Sequence, residues 1–202
     1  MKQATFAPWA EPVPGAPYPM TADDVLSLPD DGWFYELVEG RLIRMPMSGG
    51  EASRIAARLV VTLSLFVEPR HLGALLGADG GFNLTQPGET AETALGPDVS
   101  FVRAERVPSP GSAEYGKLWH LAPDIAAEIV SPNQYRPEME AKMRRYLAAG
   151  VRLVWLIWPK QRQVDVWRLG TDAPVATLGM GDALDGLDVL PGLTYPVADL
   201  FA

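Results

Sequence analysis

The chain has 202 residues, a formal net charge of −8 and no cysteine. This length suits one domain with a substantial hydrophobic core, and the missing cysteines exclude disulfides and thiolate metal sites. The acidic charge disfavours nonspecific binding to nucleic-acid phosphates, and no apolar run approaches the roughly 20 residues that span a bilayer. The N-terminus also lacks the apolar core of a secretory signal, so we expect a cytoplasmic protein with no membrane partner.

The N-terminal segment differs in composition from the rest of the chain. Residues 1–19 contain five prolines, which predicts an extended, poorly ordered arm ahead of a single domain over residues 20–202. Thr21 is followed by Asp24 three residues on, which predicts an N-terminal cap for a short helix.

The middle of the chain alternates between strand and helix patterns. The runs "FYELV" and "RLIRM" are typical of a β-hairpin with Gly40 in its turn. The run "SRIAARLVVTLSLFV" has the apolar spacing of an amphipathic helix of about five turns. Four strand-like runs follow, namely "GALLGA", "GFNLT", "DVSFV" and "IAAEIV".

A second long helix and a second hairpin complete the domain. Pro137 and Gly150 are expected near the start and the stop of the helix, and its apolar face consists of Met139, Met143, Tyr146 and Leu147. The runs "RLVWLIWP" and "QVDVWRL" then predict a hairpin. This order indicates an α/β fold, in which a mixed β-sheet is flanked by helices and preceded by an N-terminal hairpin.

Three charged residues stand out because of where the pattern places them. Asp98 begins the strand "DVSFV", Glu128 lies inside the apolar strand "IAAEIV", and Lys142 lies on the helix that follows. Sequential strands are usually neighbours in a sheet, so the two carboxylates can converge with the lysine beside them. Two carboxylates suit a hard divalent cation that polarises a phosphodiester, and an ammonium beside them keeps its proton and stabilises developing charge.

The segments "YELVEGRL", "GPDVSFV", "PDIAAEIVSPN" and "KMRRYLAAGVRLVWLI" occur in this order. Together they resemble the Uma family (DUF820-like) of the PD-(D/E)XK nuclease superfamily, over roughly residues 20–202. The resemblance implies a restriction-endonuclease-like core, with Asp98 and Glu128 as metal ligands and the carbonyl of Ile129 as a further ligand. It also implies that Lys142 replaces the superfamily lysine, whose position Val130 occupies.

The resemblance carries further expectations about chemistry and partners. Glu36 matches another acidic position, which we assign to the catalytic group. The implied activity is that of an endonuclease dependent on Mg²⁺ or Mn²⁺, with DNA as the substrate. We expect a homodimer, because many nucleases of this fold pair to cut two strands, and the apolar "VWLIW" hairpin offers a contact surface.

Other interpretations stay open at this point. The acidic net charge, and Ala52 where the family often has a histidine, favour a nuclease-fold module of weak or no activity that binds nucleic acid or a protein partner. A glycosidase could use two carboxylates, but it would not explain the lysine. Each acid also has a structural alternative: an ion pair of Glu128 with Arg144 or Arg145, a turn cap at Asp98, and a cross-strand pair of Glu36 with Arg41 or Arg44.

Overall fold

The computed structural model describes residues 12–45 and 48–202. Within these residues the helices are α1 (Ala22–Leu26), α2 (Gly50–Val67), α3 (Arg136–Ala148) and α4 (Val197–Leu200). The strands are β1 (Phe34–Val38), β2 (Arg41–Met45), β3 (Gly73–Gly77), β4 (Phe82–Asn83), β5 (Ala94–Leu95), β6 (Val99–Arg103), β7 (Ile125–Ile129), β8 (Leu153–Trp158), β9 (Gln163–Arg168), β10 (Ala176–Leu178), β11 (Ala183–Asp185) and β12 (Thr194–Pro196). None of these helices is both long enough and apolar enough to cross a membrane.

A six-stranded mixed sheet forms the centre of the domain. Its strand order is β10-β9-β8-β7-β6-β3, and only the β7–β8 pair among them is parallel. A four-stranded sheet in the order β2-β1-β5-β4 and a two-stranded sheet of β11 and β12 lie beside it. The predicted α/β class, with a mixed sheet, flanking helices and an N-terminal hairpin, is confirmed.

The two faces of the central sheet bury different partners. On one face, Ala127 and Ile129 of β7 share a core with apolar residues of α2. On the other face, Ala126 and Val130 share a core with α3 and with residues of the four-stranded sheet. Because side chains alternate along a strand, Glu128 lies on this second face, between Ala126 and Val130.

The N-terminal features follow the predicted capping and turn chemistry. Thr21 and Asp24 form a reciprocal capping box at the start of α1, and the turn between β1 and β2 has positive φ at Glu39 and Gly40. Of the predicted arm, residues 1–11 lie outside the described residues. Residues 12–19 run beside the hairpin, where the backbone N–H of Val13 donates to the carbonyl of Leu42 at 2.8 Å.

The hairpin of β8 and β9 has a different role from the one expected. Strand β8 lies between β7 and β9, and all six of its residues are buried within the protomer. Trp155 and Trp158 therefore fill the cores on the two faces of the sheet. The expectation that "VWLIW" offers a dimer contact is wrong, because an apolar run alone does not distinguish a central strand from an exposed one.

Candidate active site

The candidate site lies at the seam between the four-stranded sheet and the central sheet. Only three residues, Gly96 to Asp98, connect β5 of the first sheet to β6 of the second. Val99 pairs with Ala127 in the antiparallel β6–β7 ladder, so Asp98 comes next to the end of β7. The backbone N–H of Ile129 donates to Asp98 Oδ2 at 2.7 Å, which fixes this carboxylate beside Glu128.

Lys142 approaches the same place from α3. It is three residues after Met139 and four before Tyr146, so all three share the buried face of the helix. Its Nζ lies 2.9 Å from Glu36 Oε1 and 2.9 Å from Glu128 Oε1. The side chain is 1% exposed, so this ammonium is removed from solvent and held between two carboxylates.

Glu36 reaches the site from β1 of the smaller sheet. Its Oε1 accepts hydrogen bonds from Lys142 Nζ at 2.9 Å and from the backbone N–H of Gly96 at 3.2 Å. Its Oε2 is buried and has no hydrogen-bond partner. Strand β1 thus brings a third acid to the site, and this acid shares the ammonium of Lys142 with Glu128.

Each of the three carboxylates is anchored through one oxygen. Glu36 is held at Oε1, by Lys142 and the N–H of Gly96, and Asp98 is held at Oδ2, by the N–H of Ile129. Glu128 is held at Oε1, which lies against Lys142 Nζ and accepts from the hydroxyl of Tyr146 at 2.6 Å. Within the described part of the chain, no donor bonds the second oxygen of any of the three. The anchoring bonds therefore leave one oxygen of each carboxylate without a donor, and that of Glu36 is buried.

The electrostatics of the site reflect an excess of negative charge. When ionised, three carboxylates against one ammonium leave two negative charges in a site that is buried at Glu36 and Glu128 and half-buried at Asp98. Burial, and then the charge of Glu128, raises the pKa of Asp98 to about 7. Burial likewise raises the pKa of Glu36, although the nearby Lys142 opposes that shift. A bound divalent cation would offset this charge.

The acids line a cavity of about 240 Å³ that opens to solvent. Glu36, Asp98, Glu128, Ile129 and Lys142 all contribute to its wall. Among the described residues, no three or more histidine, cysteine, aspartate or glutamate side chains are gathered as a metal-binding group. The donor set nevertheless fits Mg²⁺, which usually takes one or two carboxylates and fills its other positions with water and phosphate oxygens.

The structure does not show the arginine partners or the local turn that the structural alternatives named, although Glu36 and Glu128 are both ion-paired, with Lys142. Arg144 bonds Glu140, and Arg145 bonds Glu89 on both of its oxygens, so neither arginine is the partner of Glu128. Glu36 faces Ile43 across the hairpin and is bonded to Lys142 and Gly96, not to an arginine of β2. Asp98 accepts from the backbone of β7, which a local turn cap would not do.

Tyr146 belongs to the site but was assigned only to the apolar helix face in the sequence. Its hydroxyl donates to Glu128 Oε1, and burial together with the charge of Glu128 raises its pKa well above the usual value. The available signal was its spacing of four residues from Lys142, since residues four apart on a helix are neighbours. The pattern could not show that the hydroxyl, and not only the ring, is used.

Both the sequence and the fold match known proteins. A family model described as "Putative restriction endonuclease", Uma2, matches residues 22–198. A crystal structure described as that of "a putative nuclease belonging to DUF820 from Anabaena variabilis ATCC 29413" is similar at a TM-score of 0.75 and 25% identity, covering 91% of this chain and 98% of that chain. No curated protein matches the chain. The resemblance noted in the sequence is thus confirmed, and the chain belongs to the Uma2 family.

Proposed function

We propose that the protein is a metal-dependent endonuclease that hydrolyses phosphodiester bonds, with DNA as its substrate. The observation that carries this proposal is the pair of buried carboxylates, Glu36 and Glu128, that share the ammonium of Lys142, with the half-buried Asp98 beside them. Each of the three carboxylates has one oxygen that no donor bonds. Family membership and the similar nuclease structure support the same reaction class.

The proposed cation is Mg²⁺ or Mn²⁺, held by Asp98, Glu128 and the carbonyl of Ile129. When bound, such a cation polarises a phosphate oxygen and lowers the pKa of a bound water. The hydrogen bond from the backbone of Ile129 holds Asp98 Oδ2, so Oδ1 is the oxygen we assign to the cation. Glu128 correspondingly offers Oε2, because its Oε1 already accepts from Lys142 and Tyr146.

Lys142 is proposed to stabilise charge rather than to remove a proton. Burial alone would lower the pKa of Lys142, but the charges of Glu128 and Glu36 outweigh it and raise that pKa above its usual range. The side chain therefore remains an ammonium at neutral pH and cannot act as a general base. Its place beside the carboxylates suits stabilisation of the negative charge that develops on the phosphate oxygens.

Glu36 and Tyr146 are proposed to position the other groups. Glu36 holds Lys142 from the side of β1, through an oxygen that is itself fixed by the N–H of Gly96. Tyr146 holds Glu128 Oε1 and so directs the free oxygen of this carboxylate into the cavity. We further infer that two copies act as a homodimer and that the protein is cytoplasmic; both remain predictions.

A cleavage assay on circular DNA tests the proposal. Supercoiled plasmid and circular single-stranded DNA are incubated with the natural protein, with Asp98→Asn, with Glu128→Gln and with the control Glu140→Gln, which changes a carboxylate on the outer part of α3. We expect cleavage that requires Mg²⁺ or Mn²⁺ and is lost in the first two variants only. Equal cleavage in all four proteins would overturn the proposal, and DNA binding without cleavage would favour a module that lacks turnover.

A further inference from the structure

An aromatic side chain stands at the mouth of the carboxylate cavity. Phe34 lies two residues before Glu36 on β1, and both line the cavity. Alternate residues of a strand share a face and are about 6.6 Å apart along it. Phe34 is nevertheless 50% exposed, so a large part of its ring is open to solvent one step away from the acids.

The rest of the cavity wall is apolar, neutral polar or acidic. Val25 and Leu26 of α1 and Leu118 line it together with Phe34, and Asp79 adds a negative charge. Lys142 is the one cation among the described residues of the cavity wall, and it is bonded to Glu36 and Glu128. Among the described residues, the cavity wall therefore offers no free positive charge to the phosphates of either a duplex or a single strand.

We propose that Phe34 is a stacking platform for an unpaired base, and that the substrate is consequently a single-stranded or locally unpaired nucleic acid. This inference rests on the proposed nuclease function, because it places a phosphate at the carboxylates and the attached base over the ring. Stacking on an aromatic side chain needs no charge and accepts every base, since each base has a π face. A paired base within a duplex has both faces covered by its neighbours and cannot use this platform.

Binding of an oligonucleotide tests the platform without cleavage. The probe is a single-stranded oligonucleotide that contains the fluorescent base 2-aminopurine, measured with Ca²⁺ in place of Mg²⁺, and its duplex serves as the comparison. The variants are Phe34→Leu, which removes the ring, and Phe34→Trp, which retains an aromatic surface. Leu65→Ala is the control, since Leu65 is exposed on α2, on the other side of the central sheet.

The natural protein should bind the single strand more tightly than the duplex and quench the probe. Loss of one stacked base weakens binding by roughly 5- to 150-fold, so Phe34→Leu should lose that factor for the single strand and leave duplex binding unchanged. Phe34→Trp and Leu65→Ala should bind like the natural protein. Equal single-strand binding by Phe34→Leu, or a preference of the natural protein for the duplex, would overturn the inference.

The inference and the proposed function fail in different ways. Single-strand binding that depends on Phe34, combined with no cleavage of circular DNA, would refute the nuclease and leave the platform in place. Cleavage that depends on Asp98 and Glu128, combined with no effect of Phe34→Leu on binding, would refute the platform and leave the nuclease in place.

Discussion

Replacement of Lys142 by methionine tests whether the site is a buried, charge-balanced group. The variant keeps an unbranched side chain of similar length but removes the ammonium that lies 2.9 Å from both Glu36 Oε1 and Glu128 Oε1. Both carboxylates are almost as buried as the lysine. The change therefore leaves two acids in the interior without their shared cation.

The magnitude of the loss follows from this burial. Removing one partner of a buried ion pair costs about 3–5 kcal/mol, because the remaining charge is left uncompensated. Protonation relieves part of this cost, since burial already raises the pKa of Glu36. The folded variant then keeps a proton that the unfolded chain has released, so its free energy of unfolding falls as the pH rises.

Urea unfolding at pH 5.5 and pH 8.0 measures both effects. At pH 8.0 we expect the unfolding midpoint of Lys142→Met to fall by an amount on the order of 1–2 M urea, with a smaller fall at pH 5.5. The double variant Lys142→Met/Glu36→Gln should recover part of the loss, and Lys160→Met, which removes an exposed ammonium, should unfold like the natural protein. An unchanged midpoint for Lys142→Met at pH 8.0 would refute the reasoning.

Three further predictions concern other polar contacts. Asp98→Asn keeps an oxygen that can accept from the backbone, and burial raises the pKa of the natural Asp98 to about 7. An acid whose pKa is raised in the folded state contributes less stability as the pH rises from about 4 to about 7. We therefore expect the variant to be more stable by up to about 4 kcal/mol at pH 8, measured by urea unfolding. Tyr146→Phe removes the 2.6 Å hydrogen bond to Glu128 and should lower the free energy of unfolding by about 1–3 kcal/mol. The variant should also cleave DNA more slowly in the presence of metal, while its oligonucleotide binding stays unchanged. Unchanged cleavage would refute the positioning role. Asp165→Ala should cost about 1–3 kcal/mol in calorimetry, because the buried acid accepts from Trp158 and Thr177, whose donors would lose their partner. A loss below about 1 kcal/mol would contradict this prediction.

The sequence predicted those parts of the site that depend on local pattern. An acid inside an apolar strand and a lysine on the next helix keep their expected places, and Asp98 lies one residue before the strand that it was expected to begin. The antiparallel pairing of β6 and β7 follows the tendency of sequential strands to be neighbours. Lys142 was assigned from its place in the family pattern, because a lysine on a helix is usually solvated.

The remaining parts depend on contacts between distant segments. Strand β5 has only two residues, and its pairing with β1 joins Leu37 to Ala94, so no local periodicity could reveal it. The same pairing brings the N–H of Gly96 and the side chain of Glu36 together, over a separation of 60 residues. Likewise, the apolar run of β8 could not show from its composition whether it is buried by its own protomer or by a second copy.

The most direct test of the central claim is a crystal structure with Mn²⁺, located by its anomalous scattering. The account predicts one Mn²⁺ in the cavity, coordinated directly by Asp98 and Glu128, with the ammonium of Lys142 still between Glu36 and Glu128. Absence of Mn²⁺ from these carboxylates at saturating concentration, or its binding at another place on the protein, would contradict the account.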